Sequence, residues 1–149
     1  GLIAALIYLF IYSKLKDISF QSFSFLILPL TLTHGLGRVG CFMAGCCYGR
    51  ECDLFWSVSL HGKNRHPVQL YEAISLMILY FILRKRYRNK QPLIFFYLIS
   101  YGTLRFILEF FRGDKIRGIY AMGLSTSQLL SILLLLCALA VLFYPKRHR

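Results

Sequence analysis

The most unusual part of the sequence is His34-Gly-Leu-Gly-Arg-Val-Gly-Cys-Phe-Met-Ala-Gly-Cys-Cys-Tyr-Gly-Arg50, which lies between two long apolar runs. It holds five glycines, three of the chain's five cysteines and two arginines. Glycine lets a backbone bend or approach another surface closely, at an entropic cost that an ordinary helix avoids. Arg38 lies in the middle of these glycines, too far along to be a charge that flanks a helix. We therefore expect the rest of the chain to present this stretch or to contact it.

The composition indicates a membrane protein. The 149 residues are 57% hydrophobic and 16% aromatic, with 18 basic against 6 acidic residues. A soluble nucleic-acid-binding protein combines basic charge with a polar surface, so no nucleic-acid partner is expected. Charges gathered in short clusters between apolar runs are typical of a chain that crosses a bilayer several times.

Five apolar segments predict an all-α, polytopic transmembrane helix bundle in which residues 1–149 form a single membrane domain. The segments cover residues 2–12, 18–32, 70–83, 93–111 and 122–144. The first is shorter than the roughly 20 residues that a crossing needs, so we interpret the chain as the C-terminal part of a longer protein. The third helix is expected to begin near Val68 with Pro67 in its first turn, and residues 89–92 to form a tight turn.

The basic clusters predict the orientation. They follow the first, third and fifth segments, at residues 14–16, 84–90 and 146–149. Placing them in the cytoplasm satisfies the positive-inside rule, and it puts the N-terminus outside and the C-terminus in the cytoplasm. The glycine-arginine stretch, the stretch 65–72 and the loop 112–114 then lie at the same, outer face. Three separated polar motifs at one face predict one site.

The glycines alone do not reveal the chemistry. Gly35-Leu-Gly-Arg-Val-Gly40 matches a dinucleotide-binding string, but that fingerprint needs a βαβ unit, which apolar spanning segments exclude. Small residues that allow close helix packing, including Gly45-x-x-x-Gly49, are the alternative. Neither explains Arg38, because an arginine in an apolar zone costs a few kcal/mol. The planar guanidinium group of Arg38 can make two hydrogen bonds to a phosphate or a carboxylate of a ligand. The structural alternative is an ion pair with Glu72 or Glu109.

The fourth segment carries a charged stripe. Tyr101, Arg105, Glu109 and Arg112 follow one another at spacings of four, four and three, which places them on one helical face. Such a stripe inside an apolar run is a functional-site hypothesis, although a salt-bridge network between helices could use the same residues. The stripe holds two arginines and one glutamate, which leaves an excess of one positive charge. Arg38 adds a second. An anionic ligand would balance that charge.

The histidines and cysteines allow weaker hypotheses. His34 and His66 lie near the polar motifs, and histidine can act as a general base or as a neutral hydrogen-bonding group. Cysteines 41, 46, 47 and 52 do not show the spacing of paired C-x-x-C ligands, so no metal or cofactor is predicted. An odd number of cysteines does not indicate a disulfide framework. Nothing near Cys46 and Cys47 specifically supports a redox role.

Three motifs together resemble a known family. They are Gly37-Arg-Val-Gly-Cys-Phe42 with Gly45 and Tyr48-Gly-Arg50, then His66-Pro-Val-Gln-Leu-Tyr-Glu72, and then Tyr101-Gly102, Arg105, Glu109-Phe-Phe-Arg112 and Asp114. In this order they resemble the prolipoprotein diacylglyceryl transferases over nearly the whole chain. Gly1-Leu-Ile is similar to the end of a family H-G-G-L-I-G stretch, which implies that helices, a head region and a family histidine lie upstream. His34 is not expected to replace that histidine.

The resemblance implies an enzyme of the bacterial inner membrane, multi-pass, with its active site toward the outer face. Members move a diacylglyceryl group from phosphatidylglycerol to the lipobox cysteine thiol of a preprolipoprotein and release glycerol phosphate. Fixed positive charge would stabilise the departing phosphate ester after attack by the thiolate. The implied catalytic residues are Arg38, Arg105, Glu109 and Tyr101. The implied substrate-binding residues are Arg38, Gly49, His66, Arg112 and Cys41.

The sequence also departs from the family pattern. That pattern has asparagine at the positions of Cys41 and Ala44 and glutamate at that of Cys46, so a polar contact to substrate is expected to differ. Two alternatives therefore remain. The chain could be a phospholipid-binding membrane protein without catalysis, or a structural or transport membrane protein whose charged stripe is an ion-pair network.

Overall fold

The computed structural model describes residues 2–18, 20–91 and 93–113, together with Gln128, Leu129, Ser131, Ile132 and Leu135. Its helices are α1 (Leu2–Leu15), α2 (Ile27–Met43), α3 (Val68–Arg88) and α4 (Ile94–Glu109), and a 3-10 helix, Phe20–Leu26, leads into α2. The strands are β1 (Val58–Leu60) and β2 (Lys63–Arg65). Asp114, the basic cluster at 146–149 and all of the fifth segment except the five single residues lie outside the described residues.

The first four predicted segments are helical, with changed limits. α2 runs on to Met43 instead of ending at residue 32, so it includes Arg38. α3 begins at Val68 as expected, although Pro67 directly precedes the first turn instead of lying in it. The turn between α3 and α4 is also confirmed, and Lys90 adopts a left-handed conformation there (φ 53°).

The prediction of an all-α fold is wrong in one respect, because β1 and β2 form an antiparallel hairpin between α2 and α3. Val58 pairs with Arg65 and Leu60 with Lys63. The connecting residues, His61 and Gly62, both have positive φ, at 55° and 75°. This is the type I′ geometry that matches the twist of a two-residue hairpin. The strands are three residues long, too short for an alternating pattern to be noticed.

One helical stretch in the described part of the chain is long and apolar enough to cross a membrane. It is Ser22–Met43, with 22 residues and a mean hydropathy of 1.3. A bilayer core of about 30 Å needs about 20 helical residues. The protein is therefore mostly helical with one such stretch, and the expected five crossings remain a prediction.

Helices α2, α3 and α4 pack side by side in alternating directions. Near the start of α2, Ile27 shares an apolar cluster with Leu83 and Leu93, which flank the α3–α4 turn. Near the end of α2, Arg38 meets Glu72 in the second turn of α3. The apolar core thus extends toward the α3–α4 turn. The end of α2, the start of α3 and the end of α4 meet at the other end of the bundle, which is where the polar motifs lie.

Candidate functional site

Backbone hydrogen bonds join the three polar motifs at this end of the bundle. The amide of Gly49 donates to the carbonyl of His66 (3.1 Å), and the amide of His66 donates to Arg50 (3.0 Å). The amide of Arg50 in turn donates to Phe111 beyond α4 (2.9 Å). Isolated antiparallel bridges also pair Gly49 with Arg112. The prediction that the three motifs come together is confirmed.

This junction explains why residue 49 is glycine. A Cβ on Gly49 would lie 2.5 Å from the carbonyl oxygen of His66 and 2.7 Å from a methyl group of Val68. The surrounding backbone leaves no room for a side chain. The helix-packing explanation of Gly45-x-x-x-Gly49 is wrong, because both glycines lie in the loop after α2. Gly35 does pack between helices, since its Cβ would be 3.5 Å from Leu76.

Two arginines converge on one buried carboxylate near the junction of the three motifs. Arg38 Nε on α2 lies 3.1 Å from Glu72 Oε1, and Arg105 Nη1 on α4 lies 3.4 Å from Glu72 Oε2. Arg105 Nη2 also lies 3.3 Å from Glu109 Oε2, one turn further along α4. Only 2% of the Glu72 side chain is exposed. We call Arg38, Glu72, Arg105 and Glu109 the arginine–glutamate cluster.

Glu72 changes the expected charge of the site. Arg112 is buried and acts electrostatically on Arg105. It does not lie on the α4 stripe as predicted, because α4 ends at Glu109 and Arg112 follows a short turn, in a β-bridge with Gly49. Three arginines against two glutamates leave one positive charge, less than the sequence suggested. A buried charge must be paired, and Glu72 provides the partner shared by two helices.

Tyr101 and His34 complete the surroundings of the cluster. Arg38 and Tyr101 lie close enough to interact electrostatically. The ring of His34 meets that of Tyr101 edge-on at 5.0 Å, and its Nε2 lies 3.8 Å from Glu72 Oε1. His34 precedes Arg38 by four residues, so both lie on one face of α2. Sequence reasoning assigned His34 no site role and named Glu72 only as an alternative ion-pair partner of Arg38, although the spacing of four was a usable signal for His34.

A cavity of about 400 Å³ opens beside these two residues, lined by Leu30, Thr33, His34, Tyr97 and Tyr101. Ligand cavities commonly range from about 300 to 1,000 Å³ and combine apolar walls with a few polar groups. The wall here is mostly aromatic and aliphatic. Two of its polar members, His34 and Tyr101, also lie against the arginine–glutamate cluster. The cavity therefore adjoins the cluster through these two side chains.

His66 lies elsewhere. Its Nδ1 is 3.2 Å from the hydroxyl of Tyr71, which also accepts a hydrogen bond from Trp56 (2.7 Å). Its ring packs edge-on against Phe111 at 5.6 Å. In the described part of the chain these side-chain contacts hold His66 in an aromatic group beside the junction, not in the arginine–glutamate cluster.

Cys41 also has neighbours that its sequence position did not predict. Its Sγ lies within 4.8 Å of those of Cys46 and Cys47. The thiol of Cys46 donates a long hydrogen bond to the carbonyl of Cys41 (3.5 Å). Local desolvation and hydrogen bonds with Cys41 and Cys47 raise the pKa of the Cys46 thiol.

Fold and site together define a class: a mostly helical protein with a membrane-length helix and a buried arginine–glutamate cluster beside an aromatic-walled cavity. The family model of prolipoprotein diacylglyceryl transferase matches residues 1–144. The chain belongs to that family, as its motifs indicated.

Named relatives agree with this assignment. Phosphatidylglycerol–prolipoprotein diacylglyceryl transferase of Clostridium tetani is 36% identical over 152 residues, which cover 95% of this chain and 60% of that protein. The transferase of the same name from Chlorobaculum tepidum is 34% identical over 158 residues, covering 99% and 55%. That of Campylobacter hominis is 35% identical over 114 residues, covering 73% and 41%. The chain thus spans between 41% and 60% of the length of these relatives.

Proposed function

We propose that the chain forms part of an enzyme that transfers a diacylglyceryl group from phosphatidylglycerol to the lipobox cysteine thiol of a preprolipoprotein. The observation that carries the proposal is the convergence of Arg38 and Arg105, from two helices, beside a cavity of lipid-compatible lining. Family membership and the names of the relatives support the substrate class.

The transfer breaks one bond and forms another. The thiolate sulfur attacks the glyceryl carbon that carries the phosphate, a C–S bond forms, and the C–O bond to phosphate breaks. Glycerol phosphate leaves with the electron pair of that bond, and the thiol proton passes to a base. Negative charge grows on the phosphate oxygens as the bond breaks. Two fixed guanidinium groups in a poorly hydrated site stabilise that charge more than water does.

The cluster can bind phosphate without losing its internal pairs. A guanidinium has five N–H donors in a rigid fork, so it can contact a carboxylate and a phosphate oxygen together. Glu72 and Glu109 fix the positions of the two arginines, and Tyr101 interacts electrostatically with Arg38. The excess positive charge of the cluster and Arg112 favours an anion. The cavity between α2 and α4 takes the apolar part of the lipid that adjoins the phosphate.

We also propose a multi-pass protein of the bacterial inner membrane with its site toward the outer face. The apolar stretch Ser22–Met43 supports this placement. Large apolar side chains also form an exposed stripe along α3, at Ile74, Ile78, Phe81 and Ile82. The basic residues 84–90 lie at the end of α3 opposite the site. By the positive-inside rule that end faces the cytoplasm, which leaves the site outside.

The proposed role of Arg38 and Arg105 can be tested in cells depleted of their own transferase. Arg38→Lys and Arg105→Lys, made in the longest natural chain that contains this sequence, keep the charge but lose the fork. We expect each to lower diacylglyceryl transfer to a lipobox substrate by about a hundredfold or more, the usual loss when one preorganised hydrogen-bond donor to a developing negative charge is removed. The measurement is incorporation of labelled lipid into the substrate protein.

Arg84→Lys is the matched control, because Arg84 is exposed at the far end of α3. It should leave transfer unchanged. Normal lipid incorporation by the Arg38→Lys or the Arg105→Lys protein would refute the proposed role of the arginines.

A structural ion-pair network is the second candidate, and the position of Glu72 between both arginines favours it. It predicts that the same two lysine variants accumulate less protein and unfold more easily, with any loss of transfer proportional to the loss of folded protein. The proposed enzyme predicts folded, membrane-inserted variants whose transfer per molecule is low. Quantifying inserted protein beside the lipid label separates the two.

A further inference from the structure

A second group of reactive side chains lies beside the arginine–glutamate cluster, and the proposed transfer does not use it. The Sγ atoms of Cys41, Cys46 and Cys47 lie within 4.8 Å of one another, and all three cysteines are free thiols. Cys41 belongs to the last turn of α2, and the other two lie in the loop that follows. We call these three residues the thiol cluster.

The loop that forms the thiol cluster reverses sharply after α2. Gly45 has a positive φ of 66°, and the amide of Cys46 returns to the carbonyl of Cys41 (3.1 Å). A chain reversal of this kind at a helix end uses glycine because the left-handed conformation disfavours a side chain. It places Cys46 and Cys47 over the helix turn that carries Cys41. The cluster therefore depends on the reversal, which the linear spacing of the cysteines does not indicate.

Two side chains from other segments hold the loop in place. Gln69 of α3, which is almost fully buried, donates a hydrogen bond to the carbonyl of Cys46 (2.6 Å). His61 from the hairpin turn lies with Nε2 2.9 Å from the carbonyl of Gly45. The loop is thus anchored to α3 and to the hairpin. An anchored loop keeps the three thiols close together without the help of a ligand.

Cys47 carries backbone strain. Its φ is 59°, in the left-handed region, where a residue other than glycine loses about 1–2 kcal/mol. Glycine or asparagine would fit this position at lower cost, and neither brings a thiol. Such outliers concentrate at functional sites. The strain at Cys47, whose thiol lies near those of Cys41 and Cys46, therefore suggests that its sulfur atom has a function.

We propose that Cys41, Cys46 and Cys47 bind one thiophilic metal ion, zinc or monovalent copper, through three thiolates. Sulfurs at about 2.3 Å from one ion lie about 3.8–4.0 Å apart, a spacing that small side-chain rotations reach from the observed arrangement. Each thiol gives its proton to solvent on binding. Soft sulfur ligands select these metals over magnesium or calcium. Three thiolates suit monovalent copper, whereas zinc would keep a fourth position open.

The test is metal titration of the purified, detergent-solubilised natural protein under a phosphine reductant. Zinc is titrated against a chromophoric chelator, and monovalent copper against bicinchoninate, in separate arms. We expect one equivalent to bind in at least one arm. Cys41→Ser and Cys46→Ser should each weaken that binding by more than the roughly 10–100-fold that follows loss of a supporting contact. The arm that shows the tighter binding identifies the metal.

Two further variants serve as controls for misfolding and for non-specific metal binding. Cys47→Gly removes the thiol and relieves the strained φ, so it should fold at least as well as the parent and lose the metal. Cys52→Ser removes a free thiol outside the cluster, so it should bind as the parent does. Binding that survives in Cys47→Gly, absence of stoichiometric binding in both arms, or a disulfide among the three cysteines under these conditions would overturn the proposal.

Discussion

At the scale of single residues, the charged site depends on Glu72. This carboxylate is almost completely buried and is shared by Arg38 and Arg105, which belong to different helices. Breaking a buried pair by removing one partner is strongly destabilising, because the remaining charges stay buried without compensation. Glu72 thereby positions the two arginines that are proposed to hold phosphate.

We predict that Glu72→Gln lowers the free energy of unfolding by about 3–5 kcal/mol. Glu51→Gln is the matched control, since Glu51 also pairs with two basic residues, Lys63 (2.6 Å) and Arg65 (3.4 Å), but its side chain is 55% exposed. Exposed pairs contribute only about 0–1 kcal/mol. Denaturant unfolding in detergent measures both. Equal losses in the two variants would contradict the central role of Glu72.

At the scale of elements, the junction of the three polar motifs depends on close backbone approach. Gly49 lies against His66, and Gly113 lies against Gly49, where a Cβ would come within 2.5 Å of a backbone oxygen in each case. The junction positions the turn that carries Arg112. Two glycines on α2 differ, since a Cβ on Gly37 or Gly40 meets nothing within 4 Å.

Gly49→Ala is predicted to destabilise the protein by roughly 1–3 kcal/mol, because the backbone at His66, just before α3, must move to admit the methyl group. Gly37→Ala should be neutral or stabilising by up to about 1 kcal/mol, since alanine favours a helix interior. Thermal unfolding of the two variants, measured side by side, checks this. A Gly49→Ala protein as stable as the Gly37→Ala protein would show that the junction tolerates a side chain.

At the scale of the whole molecule, the alternating directions of α2, α3 and α4 separate two ends. The arginine–glutamate cluster and the hairpin lie at one end, and the basic end of α3 with its turn lies at the other. Because the two ends are separated, the positive-inside rule, applied to the basic end, also predicts which side of the membrane the site faces. If the turn at Lys90 faces the cytoplasm, the hairpin and the site face outward.

The corresponding prediction uses single cysteines in a chain whose five native cysteines are replaced by serine. Lys63→Cys lies in the hairpin and Lys90→Cys in the α3–α4 turn, and both positions are exposed. A membrane-impermeant maleimide added to intact cells should label position 63 and leave position 90 unlabelled until the cells are opened. The reverse pattern would invert the proposed orientation.

Local sequence patterns were sufficient for much of the fold. The apolar runs located four helices, and the proline before Val68 marked the start of α3. The limit of α2 was misplaced, because glycines and Arg38 interrupt the apolar pattern while the helix continues to Met43. The hairpin was missed because its strands are only three residues long. Motif order was enough to identify the family and to select Arg38, Arg105, Glu109 and Tyr101.

Local sequence patterns thus predicted the helical class, the family and a role for the arginines, because apolar runs and motif spacing are properties of neighbouring residues. The tertiary structure alone decided which charges pair. Glu72 became the shared partner of two arginines because α2, α3 and α4 meet at one end, a contact between residues that are 33 and more positions apart. It also brought three cysteines together through a loop reversal. Long-range contacts of this kind depend on packing and chain direction, which no local pattern specifies.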